Sequence, residues 1–171
     1  MKIKLKPLGN IPDKVTEELK ERVAGVFHCP VEIKPGFTEL SQAYNPERKQ
    51  YLSSKLLACL GKSEENERVV GIADVDLYVP RLNFVFGEAD MNSGTAIVSL
   101  CRLRQEYYGL PADENLFLER ATKEVVHELG HTFGLEHCPN SKCVMHFSNS
   151  LADTDIKEAH FCLRCRPELV F

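Results

Sequence analysis

The sequence predicts one domain of the α/β (α+β) class, a twisted mixed β-sheet with helices packed on it. Three features carry that expectation. Strand, helix and strand patterns open the chain, strand-like apolar runs fill much of residues 69–100, and a long amphipathic helix follows at 114–133. At 171 residues the chain can bury a core without disulfide staples. We read an upper part to about residue 134 and a smaller C-terminal part from about 135 to 171.

Lys2 to Pro7 alternates Ile3 and Leu5 against lysines, the pattern of a half-buried strand. Pro12-Asp13 opens a helix to about Phe27, with Val15, Leu19, Val23 and Val26 or Phe27 on one face. Val31 to Lys34 alternates again and stops at Pro35-Gly36. Such a start gives a parallel strand pair with the helix on one face of the sheet. Residues 37–45 read as a polar loop, and Pro46 to about Leu60 as a second helix with Tyr51, Leu52, Leu56, Leu57 and Leu60 in its stripe. Lys62 to Arg68 is a solvated charged turn.

Val69 to Val79 is the most strand-like run of all, ended by Pro80. Asp74 and Asp76 share one face within it. No third ligand is near them, so a strand end or polar face is the better reading than a metal site. Phe84 to Gly87 and Thr95 to Leu100 read as two strands joined by a loose hairpin connection, Glu88 to Gly94. If Phe84 to Ala89 lies on the sheet edge, its unpaired backbone groups could hold an extended peptide.

Arg102 to Leu110 is a polar connector, after which Asp113 caps a helix from Glu114 to Phe133. Its apolar stripe takes in Leu116, Phe117, Ala121, Val125, Val126, Leu129 and Phe133. Gly130 within it costs about 1 kcal/mol relative to alanine, so a small residue there leaves room for a metal or a packed neighbour.

That helix carries His127-Glu128-x2-His131, followed by Gly134 and His137. Histidines four apart share a helix face and can reach one metal ion. Glu128 falls beside the metal rather than on it. Gly134 can adopt a left-handed conformation, stop the helix and swing His137 back as third ligand. The pentad alone is a weak signal, and the added glycine and histidine make it specific. Glu136 is a rival ligand, but it follows His131 too closely for the usual carboxylate arrangement, so His137 is favoured.

Three neutral ligands with an open fourth position are the pattern of catalytic zinc, which lowers the pKa of water toward about 7. Glu128 then serves as general base for attack on a peptide carbonyl and passes the proton to the leaving amine. The leading function is therefore a zinc metallopeptidase, an aminopeptidase on short peptides among the options. A zinc-bearing peptide-binding protein with little turnover is the alternative. Glu128 favours the enzyme, because it adds nothing to simple metal holding.

Four of the seven cysteines form a second cluster, Cys138-x4-Cys143 and Cys162-x2-Cys165. Four thiolates fill a tetrahedral zinc with no open site, a structural role. Cys138 directly follows His137, so the two zinc ions would be anchored by adjacent residues. Cys29, Cys59 and Cys101 read as buried free thiols, and His28, His146 and His160 as exposed or packing residues. The lysine-rich N-terminus is not a signal peptide, no apolar run reaches membrane-span length, and a cytoplasmic monomer is expected. A net charge of −4 and the lack of a basic, aromatic-interleaved patch argue against a nucleic-acid partner. A peptide or protein substrate is expected instead.

The run from His127 to His137, with Met145 beyond it, resembles the metzincin clan of zinc peptidases, and the interposed cysteines make it look like an archaemetzincin. The resemblance implies a metzincin-like fold with a twisted sheet, an active-site helix and a small C-terminal subdomain. It implies catalytic zinc on the three histidines, Glu128 as base, and a second zinc on the four cysteines. It also implies Met145 as the Met-turn residue beneath the metal. Some metzincins carry a tyrosine two residues after that methionine. Phe147 stands there and has no hydroxyl.

Overall fold

The computed structural model describes residues 1–166. In chain order the regular elements are β1 (Lys2–Leu8), α1 (Asp13–Phe27), β2 (Val31–Ile33), β3 (Tyr44–Asn45), β4 (Gln50–Leu52), α2 (Ser53–Leu60), β5 (Glu67–Ala73), β6 (Leu77–Tyr78), β7 (Gly87–Asp90), β8 (Thr95–Ser99), α3 (Glu114–Thr132) and α4 (Leu151–Ile156). A five-stranded mixed sheet has the order β2-β1-β5-β8-β7, and β3-β4-β6 form a small second sheet. The pairs β1–β2, β1–β5 and β5–β8 are parallel, and the edge strand β7 runs antiparallel to β8.

The main sheet is covered on both faces, so its strands alternate between two cores. Val70, Ile72, Ala96 and Val98 join the core beneath α1 and α3, whereas Val69, Ala73 and Ile97 join the core beneath α2. Asp113 caps α3 by accepting the N–H of Leu116 at 3.0 Å. Two ion pairs, the second of them buried, fasten the C-terminal segment to α3. Arg120 forks onto Asp155 at 2.6 and 2.7 Å, and Lys157, with none of its side chain exposed, meets Glu124 at 3.0 Å.

Four local expectations change. The second helix starts only at Ser53, because Asn45 Oδ1 accepts the N–H groups of Glu47 and Arg48 and closes a turn. Tyr51 and Leu52 then pair in β4 rather than joining that helix. The run 69–79 is two strands, since the chain leaves the main sheet after Ala73 and joins the small one at Leu77. Between them Asp74 and Asp76 pair with Arg104 and Arg102, the polar role expected of them.

The hairpin strand is Gly87–Asp90, three residues beyond the expected start. Val85 bridges to Leu77 of β6 instead, and Arg48 and Gln50 hold the carbonyls of Leu82 and Asn83, so the stretch meets β8 at Phe86, whose carbonyl accepts the Ser99 N–H at 2.7 Å. Of the three cysteines expected to be buried, Cys29 and Cys101 are half-buried and the third, Cys59, is exposed. It faces away from the buried stripe of α2, which consists of Ser53, Leu56, Leu57 and Leu60. Among the described residues no helix is long and apolar enough to cross a membrane.

Two candidate metal centres

His127 and His131 lie one turn apart near the C-terminal end of α3. Gly134 has φ 87°, a conformation that favours glycine, and it turns the chain back over the helix. His137 thereby closes on the other two. One ligand nitrogen from each of the three rings lies within 4.8 Å of the others. Glu136 is exposed and outside this group.

The hydrogen bonds fix which nitrogens are available. His127 Nδ1 donates to the Val144 carbonyl and His131 Nδ1 to the Leu135 carbonyl, both at 2.7 Å. A neutral imidazole carries one proton, so both Nε2 atoms are left as acceptors. They face each other at 3.0 Å. That contact holds no proton and is not a hydrogen bond. A tetrahedral zinc would set two such nitrogens about 3.3 Å apart, close to what is found. Burial pushes His127 well below the usual imidazole range, with Lys157 and His131 adding to it. Burial also lowers His131 and His137, so all three rings stay neutral as metal ligands require.

Glu128 is buried beside this trio. Burial pushes its carboxyl well above the usual range, and the neighbouring Glu124 adds to the shift. The edge strand passes directly over it. A Cβ built on Gly87 would lie 2.5 Å from Glu128 Cγ, so only glycine permits that approach. Gly130 answers the question its sequence raised: a Cβ there would strike the Met145 sulfur and come within 3.2 Å of Phe161. Met145 is wholly buried under the helix, within a turn closed by the His146 N–H on the Cys143 carbonyl at 2.9 Å. Phe147 packs on His137, with ring centroids 4.8 Å apart.

The second group joins Cys138, Cys143, Cys162 and Cys165, again with ligand atoms within 4.8 Å. Cys138 Sγ and Cys162 Sγ stand 3.8 Å apart. A disulfide needs about 2.05 Å, whereas sulfurs around a tetrahedral zinc sit about 3.8 Å apart. Backbone N–H groups, first that of Cys165, draw the Cys162 thiol down to about 6, while burial pushes Cys143 and Cys165 up. His28 and His160 are exposed, and half-buried His146 bonds the Cys138 carbonyl at 3.0 Å.

The three histidines open into a cleft of about 420 Å³. Leu82 to Ala89 form one wall, α3 supplies the floor through Glu124 and Glu128, and Phe147 to Asn149 form the far wall. Sequence reasoning did not reach the Val144 carbonyl, Glu124 or Lys157, because each acts through a contact distant in the chain.

The profile of peptidase family M54 matches residues 9–170. Archaemetzincins of Thermococcus kodakarensis and Methanocaldococcus jannaschii are 44% and 42% identical, over 96% and 99% of this chain and 92% and 93% of theirs. The crystal structure of a zinc-dependent peptidase from Methanocorpusculum labreanum superimposes with a TM-score of 0.90 at 32% identity, over 98% of this chain and 100% of that one. That of an Archaeoglobus fulgidus archaemetzincin complexed with malonate gives 0.85 at 36% identity, over 99% and 100%. With a family match over nearly its whole length and relatives above 40% identity, the chain belongs to peptidase family M54, the archaemetzincins, and is a zinc metallopeptidase.

Proposed function

We propose that His127, His131 and His137 hold the catalytic zinc, that Glu128 is the general base, and that Cys138, Cys143, Cys162 and Cys165 hold a second, structural zinc. Met145 is then the Met-turn residue. One observation carries this reading: two buried imidazole nitrogens, both acceptors, face each other 3.0 Å apart with no proton between them. Such a pair is a donor set that only a cation completes. The 3.8 Å sulfur spacing supports the second ion in the same way.

Zinc bound by three neutral imidazoles supplies Lewis-acid polarisation of the scissile carbonyl and acidifies the attacking water. The chain's own residues do the rest. β7 is the outermost strand, so its free backbone groups can pair with an extended peptide and lay it across the cleft. Glu128, held under Gly87, takes a proton from the water and delivers it to the departing amine. Carbonyls of Val144 and Leu135 hold His127 and His131 in their ligating tautomer.

We read the upper part to about residue 134 and the part from about 135 as one catalytic domain acting as a monomer, with no nucleic-acid partner; residues 167–171 lie outside the described residues. Four thiols that must stay reduced suit a cytoplasmic location. Wild type and Glu128→Ala, both checked for zinc, are assayed on peptides with free and with blocked N-termini. The variant should lose activity by about 10²- to 10⁴-fold while keeping its zinc. Activity that survives Glu128→Ala would overturn the mechanism, and activity lost on blocking the N-terminus identifies an aminopeptidase.

A further inference from the structure

The wall of the cleft continues beyond it as a strip of stacked rings. Phe86 and Phe84 both line the cleft and meet edge to face, with centroids 5.2 Å apart. The Arg102 guanidinium lies 4.3 Å from the centre of the Phe84 ring and 4.9 Å from that of Tyr107. Tyr107 and Tyr108 then meet edge to face at 5.1 Å. Each of these contacts is attractive, so the strip is one connected surface rather than scattered side chains. It begins one residue before Gly87, which covers Glu128, and it ends in solvent.

The outer end is largely apolar and open. Tyr107 and Tyr108 are each 46% exposed, and Leu110 is 55% exposed. Three such side chains within four residues make the kind of contiguous patch that marks a binding surface. The patch is also held in one conformation. Asp76 grips Arg102 at two points, at 2.6 and 2.8 Å. The 3-10 turn at Gln105–Tyr108 is tied by the N–H groups of Tyr107, Gly109 and Leu110, which reach the carbonyls of Arg104, Glu106 and Gln105 at 3.0–3.2 Å. Tyrosines fixed in this way offer a large contact area at little further cost in ordering.

We propose that Tyr107, Tyr108 and Leu110 form a distal docking platform for the substrate chain, which takes an aromatic or aliphatic side chain remote from the scissile bond. This rests on the reading of the cleft as the peptide site. The continuity of the strip with the cleft wall sets the occupant. A peptide that lies along β7 and runs on past Phe84 reaches Tyr107 next. The two cation–ring steps from Phe84 span about three residues of extended chain, and Phe84 is itself three residues from Gly87. The anchoring side chain therefore lies about six residues from the scissile bond. The substrate class is an extended polypeptide segment, longer than the cleft alone would hold.

The test is a series built on one scissile sequence, lengthened residue by residue to about eight residues on either side, with Leu, Phe or Ser at the far end. Cleavage by the zinc-loaded protein gives KM and kcat. Binding to zinc-loaded Glu128→Ala is read separately by fluorescence anisotropy. The double variant Tyr108→Ala with Leu110→Ser removes the outer apolar groups and keeps the Phe84, Arg102 and Tyr107 stack. Lengthening on one side should lower KM about tenfold once Leu or Phe stands about six residues out, with kcat unchanged. The double variant should lose that gain and cleave short peptides as wild type does, whereas a merely structural defect would affect short and long peptides alike. A KM independent of length, an equal gain with Ser, or a double variant that keeps the gain would overturn the platform. So would a wild-type dimer in analytical ultracentrifugation that the double variant dissociates, because the patch would then belong to a second copy of the chain. Length-dependent binding that the double variant loses, with no peptide cleaved, would uphold the platform and overturn the proposed hydrolysis alone.

Discussion

His127 Nδ1 lies 2.7 Å from the carbonyl oxygen of Val144, the residue between Cys143 and Met145. The first histidine of the motif is therefore oriented by the segment that also supplies a sulfur to the second cluster. His137 is tied to that cluster too, because Cys138 follows it directly and donates its N–H to the Met145 carbonyl at 2.9 Å. The cysteine cluster thus reaches two of the three histidines through backbone of one or two residues. Ligand-orienting contacts of this kind typically matter about 10- to 100-fold in metal affinity.

Gly87→Ala should lower kcat by about 10- to 100-fold, because its Cβ would displace the Glu128 side chain on which proton transfer depends. Zinc content should not change, since Gly87 touches none of the histidines' bonding partners. Kinetics with metal analysis checks this, and wild-type kcat would count against the placement of Glu128.

Glycine to alanine inside a helix ordinarily stabilises by about 1 kcal/mol. At Gly130 the sign should reverse, with a loss of about 1–3 kcal/mol, because the new methyl group meets the buried Met145 and Phe161. Unfolding curves of the zinc-loaded protein decide it. A gain in stability would mean that the methionine yields.

Lys157→Met leaves the Glu124 carboxylate buried without its cation, and should cost about 3–5 kcal/mol. The double variant Lys157→Met with Glu124→Gln removes both charges and should recover most of that loss. Equal destabilisation of the two variants in urea unfolding would show that packing, not charge pairing, dominates there.

Of the three cysteines outside the cluster, Cys59 is exposed and should react first with a thiol reagent at pH 8 in zinc-loaded protein. Burial, helped by Asp76 and Asp74, pushes the Cys101 thiol up to about 11, so half-buried Cys101 should label well after Cys59. Mass spectrometry of timed samples reads the order, and early labelling of Cys101 would contradict its placement.

The clustering of the three histidines was legible because it depends on local geometry: a helical repeat at His127 and His131, and one left-handed glycine at Gly134. The first strand, helix and strand were legible for the same reason, since Ile3, Leu5, Val15, Leu19, Val23, Phe27 and Val31 recur at strand or helix spacing and all join one core. What was missed depends on partners far along the chain. Pro46 to Leu52 holds helix-like apolar spacing, yet Asn45 and the pairing with Leu77 and Tyr78 take those residues away. Phe84 to Phe86 looks like strand, but Arg48 and Gln50 claim the backbone just before it. Nothing near Lys157 or Val144 in sequence marks one as the partner of Glu124 and the other as the acceptor for His127.

The central claim is that the cysteine cluster builds the histidine centre, and zinc content of Cys162→Ser with Cys165→Ser tests it most directly. Loss of the two sulfurs should release the Cys138 and Val144 segments together. The variant should lose the zinc held by the histidines as well as that held by the cysteines, and its melting temperature should fall. A variant that keeps full catalytic zinc and the wild-type melting temperature would contradict the coupling.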